Sequence, residues 1–191
     1  MIIGLSGTLA AGKDTVADYL VEKEGFGHIS LSAVLREVAT EKGIEITMEN
    51  LTKLGNSLKT EYSADYLVER AKKEADFRYD IVVSSIRQPE EIKNLKREKD
   101  FFMIFVDADI KIRFKRLVKR GRAGDVGKFE KFEEQEKKQL DGQSGGMNLG
   151  KCRKMADYII VNNGTIEEFK DEISRTFEQI KERTEAKSEG I

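Results

Sequence analysis

The stretch that decides the fold is Gly7-Thr8-Leu9-Ala10-Ala11-Gly12-Lys13-Asp14-Thr15, which follows the apolar run Met1-Ile2-Ile3-Gly4-Leu5. Two glycines five residues apart let the backbone curl so that successive N–H groups point into one concavity. After the loop, apolar residues recur at helical spacing at Val16, Tyr19 and Leu20. A strand, a glycine-containing loop and a helix in this order predict a cradle for phosphate groups, which we call the phosphate loop.

A helix that begins near Gly12 would add the positive end of its dipole to the phosphate loop. Lys13 can place its ammonium between the terminal phosphates of a nucleotide. The next residue is Asp14, where such loops usually carry a Ser or Thr that contacts magnesium. Two arrangements stay open: Asp14 holds the metal through water, or the hydroxyl of Thr15 binds it.

Apolar runs predict strands at 2–6, 27–30, 80–85, 101–106 and 158–161, with amphipathic helices between them. Strands that alternate with helices and are apolar on both faces predict an α/β fold with a doubly wound, five-stranded parallel sheet. About 45 residues separate the second strand from the third, which is more than one crossover helix needs. Thr47 and Ser63 are the expected caps of two additional helices there, and the charged tail from Lys181 is expected to fray.

A length of 191 residues suits one substantial core and is short for two domains. We therefore expect a single domain over 1–191. Its expected parts are a core (1–30, 78–120 and 155–184), a helical acceptor-binding segment (31–77) and a lid segment (121–152). Four glycines between Asp141 and Gly150 predict a flexible loop within the lid segment.

Charge and composition exclude several classes of function. Charged residues make up 36% of the chain, and the 34 basic residues are balanced by 35 acidic ones. A nucleic-acid-binding protein would normally be more basic, so we do not expect a nucleic-acid partner. His28 is the single histidine, which excludes a histidine cluster, and we expect it in a strand. Oligomeric state is not readable from the sequence.

The single cysteine, Cys152, cannot form an internal disulfide. The N-terminal residues lack the basic segment that precedes the apolar core of a secretory signal. No apolar run approaches the roughly 20 residues needed to span a bilayer. We therefore expect a cytoplasmic protein with no membrane partner.

Polar residues follow each predicted strand, at the sheet edge where ligands bind in open parallel sheets. Beyond the phosphate loop they are Ser30, Ser32, Arg36, Ser84, Ser85, Arg87, Asp107, Asp109, Asn162, Asn163 and Gly164. Arg36 and Arg87 can hold an acceptor phosphate with the fixed geometry of a guanidinium. Arg116, Arg120 and Arg122 end a helix that leads into the lid segment, and we expect them to close over the nucleotide.

Together these residues resemble the nucleoside monophosphate kinase group of P-loop proteins, nearest to adenylate-kinase-like and dephospho-CoA-kinase-like proteins of archaeal type. The resemblance extends from Ile2 to about Ile173. It implies the P-loop NTP hydrolase fold of nucleotide-kinase type, with ATP and Mg²⁺ as cofactors. It also implies an ATP-dependent phosphotransferase acting on a nucleoside-monophosphate-like small molecule. The alternatives are a dephospho-CoA kinase and an adenylate-kinase-like ATPase or switch that acts on RNA or a protein.

The resemblance also implies roles for single residues. The segment from Ser30 to Arg36 looks like the family's Ile-Ser-Thr-Gly-Asp-Met-Leu-Arg, which implies acceptor binding by Ser32 and Arg36. Ser84-Ser85-Ile86-Arg87 looks like Asp-Gly-Phe-Pro-Arg, which implies that Arg87 contacts the acceptor phosphate. The residues implied to be catalytic are Lys13, Arg87 and Arg120. Those implied to bind ATP are Gly7, Thr8, Ala10, Ala11, Gly12, Lys13, Asp14, Thr15, Arg116, Asn163 and Gly164.

Two departures from the family pattern bear on the metal and the acceptor. Ser84-Ser85 replaces the Asp-Gly whose carboxylate orients magnesium-bound water, so Asp14 or Asp107 would have to compensate. The Asp-x-Asp pattern that dephospho-CoA kinases show after the second strand is missing. Its absence favours a nucleoside monophosphate as the acceptor.

Overall fold

A computed structural model describes residues 1–121, 127–142 and 147–189. The strands are β1 (Ile2–Gly7), β2 (Gly27–Ser30), β3 (Ile81–Ser84), β4 (Phe101–Asp107) and β5 (Tyr158–Val161). The helices are α1 (Lys13–Glu24), α2 (Leu31–Glu41), α3 (Met48–Glu61), α4 (Tyr66–Glu74), α5 (Pro89–Leu95), α6 (Ile110–Arg120), α7 (Phe129–Asp141), α8 (Leu149–Lys154) and α9 (Ile166–Glu189). Arg122 lies outside the described residues.

The strands form one parallel sheet in the order β2-β3-β1-β4-β5. Central strand β1 is buried along its whole length, with Ile2 paired to Ile81 on one side and to Phe101 on the other. This arrangement confirms the predicted doubly wound five-stranded sheet. The order also places the carboxyl ends of β1, β3 and β4 side by side, where the phosphate loop begins.

Alternate strand residues face opposite layers of helices, because side chains in a strand have a period of two. Ile3, Leu5 and Ile104 pack with α1 and α9 in one cluster. Ile2 and Met103 pack with α2, α4, α5 and α8 in the other. Both faces of the sheet are therefore covered, which explains the uninterrupted apolar runs in β3 and β4.

The long connection between β2 and β3 consists of α2, α3 and α4. The side chain of Thr47 accepts the Asn50 N–H at 3.1 Å, which confirms Thr47 as the cap of α3. The predicted Ser63 cap is wrong, since α4 begins after Asp65. The main-chain oxygen of Ser63 accepts the Tyr66 N–H at 3.2 Å and its side chain bonds Asp65, so Ser63 belongs to the turn before the helix.

Two further predictions differ from the structure. Helix α9 continues to Glu189 instead of fraying from Lys181. Lys181 pairs with Glu178 at 2.6 Å, and the Thr184 hydroxyl bonds the Ile180 carbonyl at 2.9 Å, which supports the extra turns.

The predicted flexible loop 141–150 is wrong at its two ends, because Asp141 ends α7 and Leu149 begins α8. A Cβ on Gly150 would lie 2.5 Å from the Leu140 main-chain oxygen. Gly150 therefore lets α8 approach α7 closely and is not a loop glycine. Residues 143–146 of the predicted loop lie outside the described residues. Within the described ranges no helix is both long enough and apolar enough to cross a membrane.

Candidate functional site

The phosphate loop depends on glycine at its two ends. Gly7 has φ +150° and Gly12 has φ +108°, a region that L-residues rarely adopt. A Cβ on Gly7 would lie 2.1 Å from the Val106 main-chain oxygen, and one on Gly12 would lie 2.6 Å from Asn162 Nδ2. The loop therefore passes tightly between β4 and the turn that follows β5.

The ammonium of Lys13 folds back over the phosphate loop. Its Nζ donates to the main-chain oxygens of Gly7 at 3.0 Å and Thr8 at 2.7 Å. Burial, together with the positive charge of Arg87, lowers the pKa of Lys13 to about 8. An anionic ligand in the loop would offset both effects, because it favours the charged form of the amine.

Asp107 supports the loop from the end of β4. Its Oδ1 accepts the Thr8 hydroxyl at 2.9 Å and the Ala108 N–H at 2.9 Å. The other oxygen, Oδ2, lies 3.6 Å from Nε of Arg153. The carboxylate of Asp107 therefore holds Thr8 in place.

The turn after β5 closes the other side of the loop. Asn162 is buried; its Nδ2 donates to the Ala11 oxygen at 2.8 Å, and its Oδ1 accepts from Arg116 Nη2 at 3.1 Å. Asn163 Oδ1 accepts the Asp109 N–H at 2.7 Å, and Gly164 lies against the Glu168 carboxylate. The sequence places Asn162 in this turn but does not show that its side chain bonds the loop.

Arg116 and Arg120 lie on α6 beside the phosphate loop. Arg116 Nη1 is buried and has no hydrogen-bond partner in the described part of the chain, and burial lowers the pKa of this guanidinium. The charge of Arg120 lowers the pKa of Lys13, so this guanidinium lies within electrostatic range of the loop. An unsatisfied guanidinium nitrogen fits a ligand acceptor atom at this position.

A cavity of about 520 Å³ opens between α2, α3, α4, α5 and α7. Its lining includes the three predicted acceptor-binding residues Ser32, Arg36 and Arg87, and we call it the arginine cavity. Arg36 Nη1 donates to Ser32 Oγ at 2.5 Å and to the Ser32 main-chain oxygen at 3.1 Å. The rest of its wall is largely apolar and includes Leu31, Leu35, Leu51, Leu58 and Leu67.

The two arginines of this cavity interact electrostatically. Burial lowers the pKa of Arg87; the negative charge of Glu91 opposes this shift, and the positive charge of Arg36 adds to it. The described residues place no carboxylate in hydrogen-bond or ion-pair contact with the Arg87 guanidinium. The cavity therefore concentrates positive charge that an anionic group of a ligand could neutralise.

Glu91 is a buried carboxylate in the cavity wall, and its role was not predicted from the sequence. Its Oε2 accepts the N–H groups of Arg87 at 2.7 Å and Gln88 at 2.9 Å, so it holds the turn that carries Arg87. Burial raises the pKa of Glu91 to about 7, opposed by those two N–H groups and by the charges of Arg87 and Lys59. Pro89 at the first helical position with Glu91 two residues on is a capping signal that could have revealed this role.

No acid stands at the end of β3. Ser84 Oγ lies 2.8 Å from Nε2 of His28, and Ser85 has φ +64°. His28 lies in β2, which confirms that it is a strand residue.

Within the described residues, no group of three or more His, Cys, Asp or Glu side chains could hold a metal ion. Asp14 is exposed in the first turn of α1 and Thr15 is partly buried. A carboxylate and a hydroxyl there fit Mg²⁺ only together with ligand phosphates, as is usual for this ion.

Residues 3–141 match the family model described as an AAA domain. A UPF0200 protein of Thermococcus kodakarensis, TK1334, is 30% identical over 187 residues, which cover 94% of this chain and 98% of the relative. The similarity therefore extends over nearly the full length of both proteins.

Solved structures of kinases share the fold. Acinetobacter baumannii shikimate kinase in complex with shikimate superposes with a TM-score of 0.60 at 17% identity, over 95% of this chain and 93% of that one. Campylobacter jejuni dephospho-CoA kinase gives a TM-score of 0.52 at 15% identity, over 94% and 96%. The chain thus has a P-loop kinase-like fold, and it belongs to the AAA domain family and to the UPF0200 proteins.

Proposed function

We propose that this protein is an ATP-dependent phosphotransferase that phosphorylates a nucleoside-monophosphate-like small molecule. ATP would bind the phosphate loop and the acceptor would bind the arginine cavity. The observation that carries the proposal is electrostatic continuity: the charge of Arg87 acts on Lys13 in the loop, and that of Arg36 acts on Arg87. Each of these cations therefore lies within electrostatic range of the next, which supports a donor site and an acceptor site next to each other.

Phosphoryl transfer needs alignment of donor and acceptor and positive charge around the transferred group, and little covalent help from the protein. Lys13 and Arg120 would stabilise charge on the transferred phosphoryl group from the donor side. Arg87 would do so from the acceptor side, while Arg36 and Ser32 hold the acceptor phosphate. Arg116, with its unsatisfied buried nitrogen, and the turn at Asn163 and Gly164 would border the adenine.

ATP supplies the phosphoryl group, and Mg²⁺ neutralises phosphate charge when both are bound. Asp14 and Thr15 are the residues that would hold the metal, Asp14 through water or Thr15 through its hydroxyl. Asp107 is less suited to this task because its Oδ1 already accepts two hydrogen bonds.

We also propose that the protein is cytoplasmic. Its single cysteine is a buried free thiol, which suits a reducing compartment.

The identity of the acceptor is the finer part of the proposal. Two guanidiniums suit a phosphate, and a carboxylate has the same charge-assisted geometry. The structural neighbours act on shikimate and dephospho-CoA, as their names state, so both belong in an acceptor panel. The apolar leucine wall of the cavity favours an acceptor with a substantial uncharged body.

The test is ADP release from ATP and Mg²⁺, measured with each nucleoside and deoxynucleoside monophosphate, dephospho-CoA and shikimate in turn. We expect one monophosphate to raise ADP release at least about tenfold over the rate without acceptor. ATP binding without stimulation by any member of the panel would contradict the proposed acceptor class.

A second candidate is an ATPase or switch that acts on RNA or a protein partner. The observation that favours it is Ser84, whose hydroxyl is bonded to His28 where the related kinases carry a metal-orienting acid. The near balance of 34 basic and 35 acidic residues argues against broad RNA binding. ATP hydrolysis that no small acceptor changes, and that a macromolecular partner raises, would support this candidate.

A further inference from the structure

Helix α7 touches both halves of the proposed site. Phe132 and Glu136, one turn apart, contact Arg113 on α6. Gln135 and Gln139, also one turn apart, line the arginine cavity. One helix therefore has a side that faces the phosphate loop and a side that faces the acceptor.

The contact with the loop runs through Arg113, whose side chain is only 3% exposed. Its Nη2 donates to Glu136 Oε1 at 2.6 Å and its Nη1 donates to Glu136 Oε2, so the pair is bidentate. Nη1 also lies 3.4 Å from the Leu9 main-chain oxygen in the phosphate loop, and Nε donates to the Ala108 oxygen at 2.7 Å. The guanidinium thus joins α7, the loop and the end of β4.

Aromatic packing holds α7 on α6 independently of this ion pair. The Phe114 ring centroid lies 5.6 Å from that of Phe132 and 5.3 Å from that of Phe129. The Arg113 guanidinium carbon lies 5.8 Å from the Phe132 centroid. Because these rings dock the helix, the ion pair is not needed merely to attach it.

A buried ion pair contributes little net stability, because desolvation of both charges offsets their attraction. The planar bidentate geometry of the pair nevertheless fixes the position of Glu136 relative to Arg113. The charge of Arg113 also lowers the pKa of Lys13, so a triphosphate on the loop would act electrostatically on Arg113 as well. The pair is therefore placed to sense a nucleotide.

We propose, on the basis of the nucleotide and acceptor sites proposed above, that Glu136 is a positioning residue. Acting through Arg113, it ties α7 to the phosphate loop, so that nucleotide on the loop orders α7 and places Gln135 and Gln139 on the acceptor. These two amides are then acceptor-contacting residues whose position depends on the donor site.

Hydrogen exchange measured by mass spectrometry, with and without ATP and Mg²⁺, tests the proposal without a known acceptor. In the wild type we expect ATP to slow hydrogen exchange in peptides from the phosphate loop. We also expect ATP to slow hydrogen exchange about tenfold in peptides within 129–141. In Glu136→Gln the loop should still be protected, while the ATP effect on α7 falls below about twofold. The matched control is Glu134→Gln, an exposed residue of the same helix that pairs with Lys138, and it should behave like the wild type.

A merely structural ion pair would give faster exchange in α7 of Glu136→Gln but would leave the ATP effect intact, and that result overturns the inference. Should Glu136→Gln not fold, Arg113→Lys keeps the charge, loses the bidentate geometry and is expected to uncouple α7 in the same way. Protection of the loop without any ATP effect on wild-type α7 overturns the inference alone. Absence of loop protection in the wild type overturns the proposed nucleotide site and the inference with it.

Discussion

The side-chain nitrogen Nδ2 of Asn162 lies 2.8 Å from the main-chain oxygen of Ala11, and it fastens the phosphate loop to the turn after β5. The Oδ1 atom of the same amide accepts a hydrogen bond from Arg116. Asn162 is thus the link between the backbone that would hold phosphates and a guanidinium that would border the base. It orients other groups and need not touch a ligand itself.

Asn162→Asp is expected to weaken ATP binding about 10-fold or more, because a carboxylate still accepts from Arg116 but cannot donate to the Ala11 oxygen. The buried acceptor left unpaired should also lower the free energy of unfolding by roughly 1–3 kcal/mol. Calorimetric titration with ATP and urea denaturation measure the two effects. Wild-type affinity in this variant would show that the Asn162 bond does not shape the loop.

Lys13 makes ATP binding depend on pH. Burial and Arg87 lower its pKa to about 8 in the free protein, and bound phosphates are expected to raise it. Below pH 8 the amine is already charged, whereas above it binding must take up a proton, so affinity should fall by up to about tenfold per pH unit. Titrations at pH 7 and pH 9, in two buffers of different ionisation enthalpy, measure both the affinity and the proton uptake.

Lys13→Ala should lose this pH dependence and abolish turnover, with the fold retained by circular dichroism. The reason is that the ammonium stabilises charge that develops in the transition state. Turnover at the wild-type rate in this variant would remove Lys13 from the proposed mechanism.

Glu91 makes stability depend on pH. Its pKa is about 7 in the folded protein against an ordinary value of 4.5, so its contribution to stability is full below pH 4.5 and is lost as the pH rises through 7. The amide of Glu91→Gln carries no charge, so the stability of this variant relative to the wild type should rise by up to about 3 kcal/mol between these pH values. Urea denaturation at pH 4.5, 6 and 7.5 measures the difference. A difference that does not change with pH would mean that Glu91 titrates normally.

Arg36→Lys and Arg87→Lys are expected to raise the KM for the acceptor about 10- to 100-fold, because lysine cannot reproduce bidentate contact with a phosphate. ATP affinity should change little in Arg36→Lys, because Arg87, and not Arg36, is among the charges that lower the pKa of Lys13. The matched control is Arg78→Lys, an exposed arginine that pairs with Asp76 and does not line the cavity. An unchanged acceptor KM in both cavity variants would move the acceptor out of the arginine cavity.

The sequence predicted the parts of the fold that local patterns encode. Apolar runs gave the strands, and the Gly7 and Gly12 spacing gave the phosphate loop. The side-chain cap at Thr47 was also readable from the sequence, and the structure confirms it.

Features that depend on tertiary contact were not predictable. Gly150 looked like a loop residue because its close approach to Leu140 is visible only once α7 and α8 pack. Arg113 and Glu136 are 23 residues apart and each resembles a solvated helix charge until α6 and α7 come together. The buried amide of Asn162 was hidden for the same reason. The sequence therefore located the site at one edge of the sheet. It did not reveal the side chains that join the phosphate loop to α7 and to the turn after β5.

The most direct test of the central claim, that donor and acceptor meet across Lys13 and Arg87, is to follow the labelled γ-phosphoryl group of ATP. The label is separated into acceptor product and inorganic phosphate after incubation with the wild type and with Arg87→Lys. We predict that in the wild type most of the label appears in the phosphorylated acceptor, and that Arg87→Lys forms this product about 10- to 100-fold more slowly at an acceptor concentration below the wild-type KM. Label found only in inorganic phosphate, at a rate that no acceptor changes, would contradict it.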